Sequence, residues 1–247
     1  MGIQKASVRS LFIETQYNGQ FISSATAFAA TGASGASYLL TNRHNVTGRH
    51  WETDEPLSKT AAIPNHVKIF HNQQGKLGSW ISTLEPLYDL NESPRWEEHP
   101  ELGSKADFVA LPLSQLKGIQ LYPYQIPGAD IYVGPADIVS VIGFPFGNAA
   151  GGKLGIWATG FLASEPDVDY RDLPIQLIDC RTRQGQSGSP VIALRSGEVV
   201  KFRDGSIGMG GGSVERFIGI YSGRINAESD LGMVWKASAL VELLNTL

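Results

Sequence analysis

The chain of 247 residues contains a single cysteine, Cys180. One thiol cannot form an internal disulfide, so the fold must depend on its hydrophobic core. With 42% hydrophobic residues, a chain of this length can bury a large core without help from a disulfide or a metal. An unpaired cysteine is typical of reducing compartments, which predicts a cytoplasmic protein with a free, half-buried thiol.

The sequence has neither a strongly basic segment nor a long hydrophobic run. Its 20 Lys and Arg residues against 24 Asp and Glu give a net charge of −4. Without a basic patch, a nucleic acid is not an expected partner. No apolar core of a secretory signal occurs at the N-terminus, and no window approaches the roughly 18 apolar residues of a membrane span, so no membrane partner is expected either.

Cofactor motifs are also scarce. No cluster of Cys and His has metal-ligand spacing, so we expect no metal and no other cofactor. The stretch 147–153 has the Gly, four residues, Gly-Lys spacing of a phosphate-binding loop. However, Leu154 stands where a Ser or Thr would hold Mg²⁺, Pro145 interrupts the approach, and residues 156–161 have a strand pattern where a helix is needed. These departures disfavour nucleotide binding.

Glycine and proline, by contrast, are plentiful. The 28 glycines and 13 prolines lie among short apolar runs, which predicts an all-β fold with many strands and turns. The first three strands are predicted at residues 8–16, 20–30 and 37–42. Residues 85–105, rich in Glu, Asp and Pro, are predicted to form a long solvated loop, and the less favoured alternative is that this loop overhangs a cleft. Near the C-terminus, apolar residues at spacings of three and four predict an amphipathic helix: Ala237, Leu240, Val241, Leu243 and Leu244.

One serine, Ser187, lies in a glycine-hinged turn, within the run Gly185-Gln186-Ser187-Gly188-Ser189-Pro190. The glycines permit backbone conformations that a Cβ would forbid. His44 and Asp107 precede this serine, each in a strand-like segment. A serine hydroxyl needs a general base, and the base needs a carboxylate to orient it. The order His, Asp, Ser therefore predicts a catalytic triad.

This order and its flanking segments resemble the chymotrypsin-fold serine peptidases, most closely their bacterial trypsin-like and HtrA-type branch. Residues 140–147 are similar to the Gly-x-Pro-Phe-Gly segment that opens the second barrel of HtrA-type enzymes. Residues 217–223 are like the strand on which the substrate backbone lies. The resemblance implies an all-β fold of two six-stranded antiparallel β-barrels, followed by a C-terminal α-helix. The N-terminal barrel is expected in residues 1–120, and the C-terminal barrel in residues 121–247.

By the same resemblance, the protein is expected to be a serine endopeptidase that cleaves polypeptides through an acyl-enzyme. His44 would be the general base, and Asp107 would orient it. The backbone N–H groups of Gly185 and Ser187 would form the oxyanion hole. Gln186 stands where many relatives have Asp or Asn, but this change removes no catalytic atom.

The substrate pocket follows from the resemblance as well. Arg181 is expected at its base, and the strand with Tyr221, Ser222, Gly223 and Arg224 is expected to form a wall. Two guanidinium groups beside a pocket would favour an acidic substrate side chain, because Arg binds carboxylates bidentately. The alternative is that these arginines point into solvent or pair with nearby acidic residues.

A second function stays open, namely a catalytically silent trypsin-like module that binds peptides or a protein partner through the same cleft. Control of an active enzyme is expected from a regulatory protein partner or from loop ordering. The remaining histidines have no apolar lead-in and are expected at the surface: His50, His66, His71 and His99.

Overall fold

A computed structural model describes residues 2–197, 199–209, 211–226 and 228–247. Strands make up most of its regular structure, as the glycine and proline content predicted. The helices within these ranges are short: α1 (Lys5–Arg9), α2 (Arg43–Thr47) and α3 (Ala237–Leu244).

The first part of the chain forms a seven-stranded antiparallel sheet. Its strands are β1 (Ser10–Tyr17), β2 (Gln20–Thr31), β3 (Ser37–Thr41), β4 (His66–Gln73), β5 (Trp80–Pro86), β6 (Val109–Pro112) and β7 (Ile119–Gln120). The order across the sheet is β5-β4-β1-β2-β3-β6, and β7 pairs with β4. Asn18 and Gly19 connect β1 to β2 with positive φ angles of 50° and 80°, as a tight hairpin turn requires.

The side chain of Glu85 and a loop close the gap between β5 and β6. Glu85 Oε1 accepts hydrogen bonds from the backbone N–H groups of Ser114 and Gln115, at 2.9 and 3.1 Å. In the following loop, the backbone of Glu97 exchanges two hydrogen bonds with Ala110 of β6. Glu85 is fully buried and Trp96 nearly so. The prediction of a solvated loop over residues 85–105 was therefore wrong at these positions, because this segment completes the wall of the first sheet.

The second part of the chain forms a closed six-stranded barrel. The remaining strands are β8 (Ile138–Gly143), β9 (Ile156–Leu162), β10 (Ile175–Asp179), β11 (Pro190–Ser196), β12 (Val199–Lys201), β13 (Ile207–Met209), β14 (Ser213–Arg224) and β15 (Leu231–Lys236). The barrel order is β10-β15-β14-β11-β8-β9, while β12 and β13 form a separate two-stranded ribbon.

The expected chymotrypsin-like all-β fold is confirmed, with one difference. The second barrel is closed by strand pairing, whereas the first sheet is an open, curled half-barrel. Its edges meet through Glu85 and the loop instead of through a β5–β6 ladder. The strands of the first sheet end at residue 120 and those of the barrel begin at residue 138. The division into domains at residues 120 and 121 stays a prediction.

Helix α3 packs on β14 and β15. The predicted helix is confirmed, and its apolar face is buried at Leu240, Leu243 and Leu244. These side chains join Phe108 and Trp235 in a core shared by both sheets. Burying one such leucine contributes roughly 1.5–3 kcal/mol. Since Phe108 follows Asp107 directly in the sequence, this core also fixes the backbone of a predicted site residue.

The stretch with phosphate-loop spacing lies between β8 and β9. It begins in a 3₁₀ turn at Pro145–Gly147 and leads into β9, not into a helix. The strand pattern predicted for residues 156–161 is therefore confirmed.

Candidate active site

His44 lies in α2, directly after β3, and not in the strand-like segment that the sequence suggested. The helix ends after one turn because Gly48 adopts a left-handed conformation (φ 68°) and donates its N–H to the carbonyl of His44. Asn42 precedes α2 and donates from Nδ2 to the backbone carbonyl of Asp107, at 2.6 Å. The start of the helix is thereby fixed to the segment that carries the predicted carboxylate.

Asp107 lies just before β6 and is fully buried. Its Oδ2 is 2.7 Å from His44 Nδ1, and its Oδ1 accepts the backbone N–H of His44 at 3.0 Å. The hydroxyl of Ser222 donates to the same Oδ2 at 2.5 Å. A buried carboxylate with three such partners favours the proton on Nδ1 of His44, which leaves Nε2 free to accept one.

Ser187 lies in the turn between β10 and β11 and is half-buried. Its carbonyl accepts the N–H of Thr26 of β2, at 3.0 Å. Its hydroxyl donates to the carbonyl of Ser222, at 3.2 Å. Among the described contacts, this hydroxyl forms no hydrogen bond with His44. The hydroxyl and the imidazole nevertheless line one cavity.

The glycines of this turn are required by close backbone contacts. Gly185 has φ 92° and Gly188 has φ 84°. A Cβ at Gly185 would clash with the carbonyl oxygen of Phe144, and one at Gly188 with the carbonyl oxygen of Thr26. Only glycine can therefore hold the turn against β2 and the end of β8, as the sequence predicted.

Two backbone N–H groups of the turn are the ones predicted to form the oxyanion hole. Among the described residues, those of Gly185 and Ser187 donate to no acceptor. The carbonyl of Gln184, which shares a peptide plane with the N–H of Gly185, accepts the N–H of Phe146 at 2.6 Å. Because the C=O and N–H of a trans peptide point in opposite directions, this hydrogen bond turns the N–H of Gly185 away from Phe146. Gly185 lines the same cavity as His44 and Ser187.

Gln186 has a role that the sequence did not reveal. It is fully buried, and its Oε1 accepts the backbone N–H of Arg183 at 2.7 Å. Its own N–H donates to the carbonyl of Arg183 at 3.2 Å. The side chain thus closes the turn that contains the two free N–H groups. The sequence offered one signal of this role, namely that Gln186 stands where many relatives have Asp or Asn.

The cavity has a volume of about 590 Å³, which is in the usual range for ligand sites. Its walls come from β2, from α2 and the loop after it, from the serine turn and from the end of β14. Apolar, polar and charged side chains all contribute: Ile22, Trp51, Leu57, Ile225, Met233, Ser24, His50, Glu52, Asn226 and Arg224.

The residues expected to bind substrate separate into two groups. Ser222, Gly223 and Arg224 line the cavity. Arg181, however, is exposed and lies outside the lining. Tyr221 is also outside it, because its ring is buried in the barrel core and its hydroxyl lies 2.5 Å from Thr182 Oγ1. The structure thus places Arg181 and Tyr221 outside the cavity lining, and their roles in substrate binding stay predictions.

Two of the histidines expected at the surface are buried. His71 is fully enclosed, with Nε2 3.0 Å from Thr83 Oγ1. His99 accepts the N–H groups of Glu101 and Leu102 at its Nδ1. Both positions contradict the prediction. Hydrogen bonds compensate part of the burial, although Nδ1 of His71 is buried without a partner among the described residues. His66 and His50 are half-buried, and His50 lines the cavity.

Cys180 is buried, not half-buried as expected. Burial raises the pKa of its thiol to about 11, and the carboxylates of Asp179 and Asp230 add to this rise. The thiol is therefore a poor nucleophile at neutral pH.

Within the described ranges, no three His, Cys, Asp or Glu side chains converge to form a metal site. None of the helices described is long and apolar enough to cross a membrane.

Three solved structures share the fold at low sequence identity. A thermostable serine protease, AL20, from an extremophilic microorganism has a TM-score of 0.55 and 13% identity, and the match covers 98% of each chain. The active form of the Rv3671c protease from M. tuberculosis has a TM-score of 0.53 and 16% identity over 97% of this chain and 80% of that one. A serine endoprotease from Yersinia pestis has a TM-score of 0.51 and 13% identity, and the match covers 96% of this chain but 62% of that one.

A search of curated proteins finds no match. The sequence model of one family, described as the trypsin-like peptidase domain, matches residues 17–200. This range is well over half of the chain and contains His44, Asp107 and Ser187. The protein therefore belongs to the trypsin-like peptidase family and is a serine-type endopeptidase.

Proposed function

We propose that the protein hydrolyses peptide bonds through a triad of His44, Asp107 and Ser187 and an acyl-enzyme intermediate. The observation that carries this proposal is the 2.7 Å contact between His44 Nδ1 and Asp107 Oδ2, beside a serine turn with two free N–H groups. Polypeptides are the substrate class of the family.

In the proposed reaction, Ser187 first rotates its hydroxyl from the carbonyl of Ser222 toward Nε2 of His44. The hydroxyl oxygen attacks the substrate carbonyl while Nε2 takes the proton, and Asp107 stabilises the imidazolium that forms. The N–H groups of Gly185 and Ser187 bind the oxyanion, and the loss of one such donor typically costs about 3–4 kcal/mol. His44 then protonates the leaving amine, and water that is activated by His44 hydrolyses the acyl-enzyme.

Labelling with a fluorophosphonate tests this mechanism directly. Native protein, heat-unfolded protein and Ser187→Ala are compared by intact mass. We expect one covalent adduct, formed only on the native protein with Ser187 present. A Ser187→Ala variant that is labelled as fast as the wild type would contradict the assignment of the nucleophile.

The second candidate function is a catalytically silent module that binds peptides or a protein partner in the same cavity. It is favoured by one observation, the hydroxyl of Ser187 directed to the carbonyl of Ser222 instead of to His44. An unlabelled native protein that still binds peptides would support this function over hydrolysis. A regulatory partner that orders the site remains part of the proposal for either function.

For specificity, we propose that Arg224 alone favours an acidic substrate side chain, since it lines the cavity and Arg181 does not. The charge of Glu52 in the same cavity is compensated by Arg171, at 3.0 Å. Matched peptides with Glu, Arg or Leu before the cleaved bond test the preference. We expect Arg224→Gln to lower cleavage after Glu selectively, and Arg181→Gln serves as the matched control. A preference for Arg would contradict the proposal.

We also propose a cytoplasmic location, which the single, buried and unpaired thiol supports. Fractionation of cells that express the tagged protein tests it. Recovery in a membrane or extracellular fraction would contradict the proposed location without affecting the proposed chemistry.

A further inference from the structure

The loop between β8 and β9, residues 144–155, connects the serine turn to the first sheet. At its near end, the N–H of Phe146 donates to the carbonyl of Gln184, at 2.6 Å. This hydrogen bond fixes the peptide plane whose other side is the N–H of Gly185. The direction of that N–H therefore depends on where the loop holds Phe146.

At its far end, the loop docks on aromatic residues of the first sheet. The ammonium of Lys153 lies 3.7 Å from the ring centroid of Phe12 in β1 and 4.5 Å from that of Phe70 in β4. The backbone at Gly152 packs so closely on Trp80 of β5 that a Cβ would clash with its ring. Three strands of the first sheet thus hold the loop, and the contact of Lys153 is a cation–π interaction with two rings.

The charged groups around Lys153 are few. Glu14 of β1 and Lys68 of β4 are the charged side chains that act on it electrostatically. Among the described ion pairs, none joins the ammonium of Lys153 to a carboxylate. The two aromatic rings and the carboxylate of Glu14 are therefore its attractive partners.

Backbone hydrogen bonds hold the two ends of the loop: the N–H of Gly147 donates to the carbonyl of Phe144, and the N–H of Gly155 donates to the carbonyl of Ser7. Between these ends, Gly152 and Lys153 make the contacts with the first sheet. The inner part of the loop contains Gly147, Gly151 and Gly152, and one pair of hydrogen bonds, between Ala150 and Leu154 and between Leu154 and Gly151, braces its tip. Phe146 has a positive φ of 54°, which is unfavourable for a residue with a Cβ and persists only where surrounding contacts impose it. Phe146 is also 66% exposed, so its own side chain adds little packing.

We propose that Lys153 is a positioning residue, which keeps the N–H of Gly185 directed into the cavity by anchoring loop 144–155 to Phe12 and Phe70. The proposal rests on the oxyanion hole proposed above. Lys153 does not line the cavity, so its effect is expected on the chemical step and not on binding.

Three variants test this role. Lys153→Met keeps a side chain of similar length but removes the cation, and Lys153→Arg keeps the cation. Lys68→Met is the matched control, because Lys68 also lies over Phe70, at 5.1 Å, but belongs to the first sheet. We expect Lys153→Met to lower kcat roughly tenfold with KM changed less than about twofold. Lys153→Arg and Lys68→Met should stay within about twofold of the wild type.

Hydrogen exchange gives a readout that does not depend on catalysis. Lys153→Met should exchange faster in peptides that cover residues 144–155 and 181–188, with the rest of the barrel unchanged. Wild-type exchange in both segments would overturn the proposal, and so would faster exchange throughout the protein. A wild-type protein that fluorophosphonate does not label would contradict the triad instead, and the exchange result would then decide the anchoring role by itself.

Discussion

The hydroxyl of Ser222 donates to Oδ2 of Asp107 at 2.5 Å, on the carboxylate oxygen that also faces His44. Ser222 is on β14 of the second barrel, whereas His44 in α2 and Asp107 just before β6 belong to the first part of the chain. The buried carboxylate is therefore held from both halves of the fold. A relative shift of the two halves would change the position of Asp107 and, with it, the orientation of the imidazole.

Removal of this hydroxyl should impair catalysis without unfolding the protein. A hydrogen bond to a buried charge contributes about 1.5–3 kcal/mol, so we expect Ser222→Ala to lower kcat/KM by roughly tenfold or more. Ser196→Ala, which removes an exposed hydroxyl bonded to Ser213, is the control and should change kcat/KM little. Equal kcat/KM values for the two variants would show that Ser222 does not support the carboxylate.

Gln186 should prove necessary for the shape of the serine turn. Its Oε1 is the acceptor for the N–H of Arg183, so Gln186→Leu keeps the bulk but leaves that donor unpaired. We expect fluorophosphonate labelling to slow roughly tenfold, because an unsatisfied buried group costs about 1–3 kcal/mol and the turn can rearrange to avoid it. The rate of fluorophosphonate labelling measures the effect. Gln184→Leu is the control, because it makes the same change at an exposed position of the same turn. If both variants labelled at the wild-type rate, the turn would not need Gln186.

Local patterns in the sequence predicted the strands and glycines around the site well. The first three strands were predicted within two residues of β1, β2 and β3, because short apolar runs between glycines and prolines are local signals. The need for glycine at 185 and 188 was likewise evident from the serine motif. Helix α3 was recognised from the spacing of its apolar residues.

Contacts between distant segments could not be predicted in this way. Glu85 looked like a loop acid, yet its partners Ser114 and Gln115 lie about 30 residues further along the chain. Lys153 was noted only as part of a stretch with phosphate-loop spacing. Nothing in the sequence indicates that it lies over the rings of Phe12 and Phe70. Arg181 was assigned by its distance from Ser187 in the sequence, and that distance does not determine which way a side chain points.

Burial of His71 should make the protein less stable in mild acid. Desolvation lowers the pKa of His71 to about 4, although Glu85 opposes the shift. The folded state thus keeps the ring neutral while the unfolded chain, with a usual histidine pKa near 6.5, takes up a proton. The free energy of unfolding is therefore not reduced by His71 well above pH 6.5. It declines as the pH falls toward 4, by about 2 kcal/mol between pH 7 and 4.5. Urea unfolding at the two pH values measures this loss.

His71→Gln is the variant that separates this effect from general acid unfolding. Its amide can still bond to Thr83 but does not titrate in this range. We expect it to be less stable than the wild type at pH 7 and to lose less stability on acidification. An identical loss in both proteins would assign the acid sensitivity to other groups.

Closure of the first sheet should depend on the carboxylate of Glu85. Burial alone would raise the pKa of Glu85, but hydrogen bonds from Ser114, Gln115 and Arg95 outweigh it and lower the pKa. The carboxylate therefore stabilises the fold above its usual titration range, and this contribution is lost as the pH falls below about 4. We expect Glu85→Ala to lower the free energy of unfolding by about 3 kcal/mol, since several donors lose their partner.

Glu85→Gln keeps one acceptor oxygen and should cost roughly half as much, while Glu101→Ala, at an exposed position, should cost little. Urea unfolding measures all three variants. Hydrogen exchange at residues 109–115 then reports whether β6 separates from β5, as it must if Glu85 takes the place of the missing strand pairing. Unchanged exchange there in Glu85→Ala would mean that the loop from Leu87 to Glu97 closes the sheet without it.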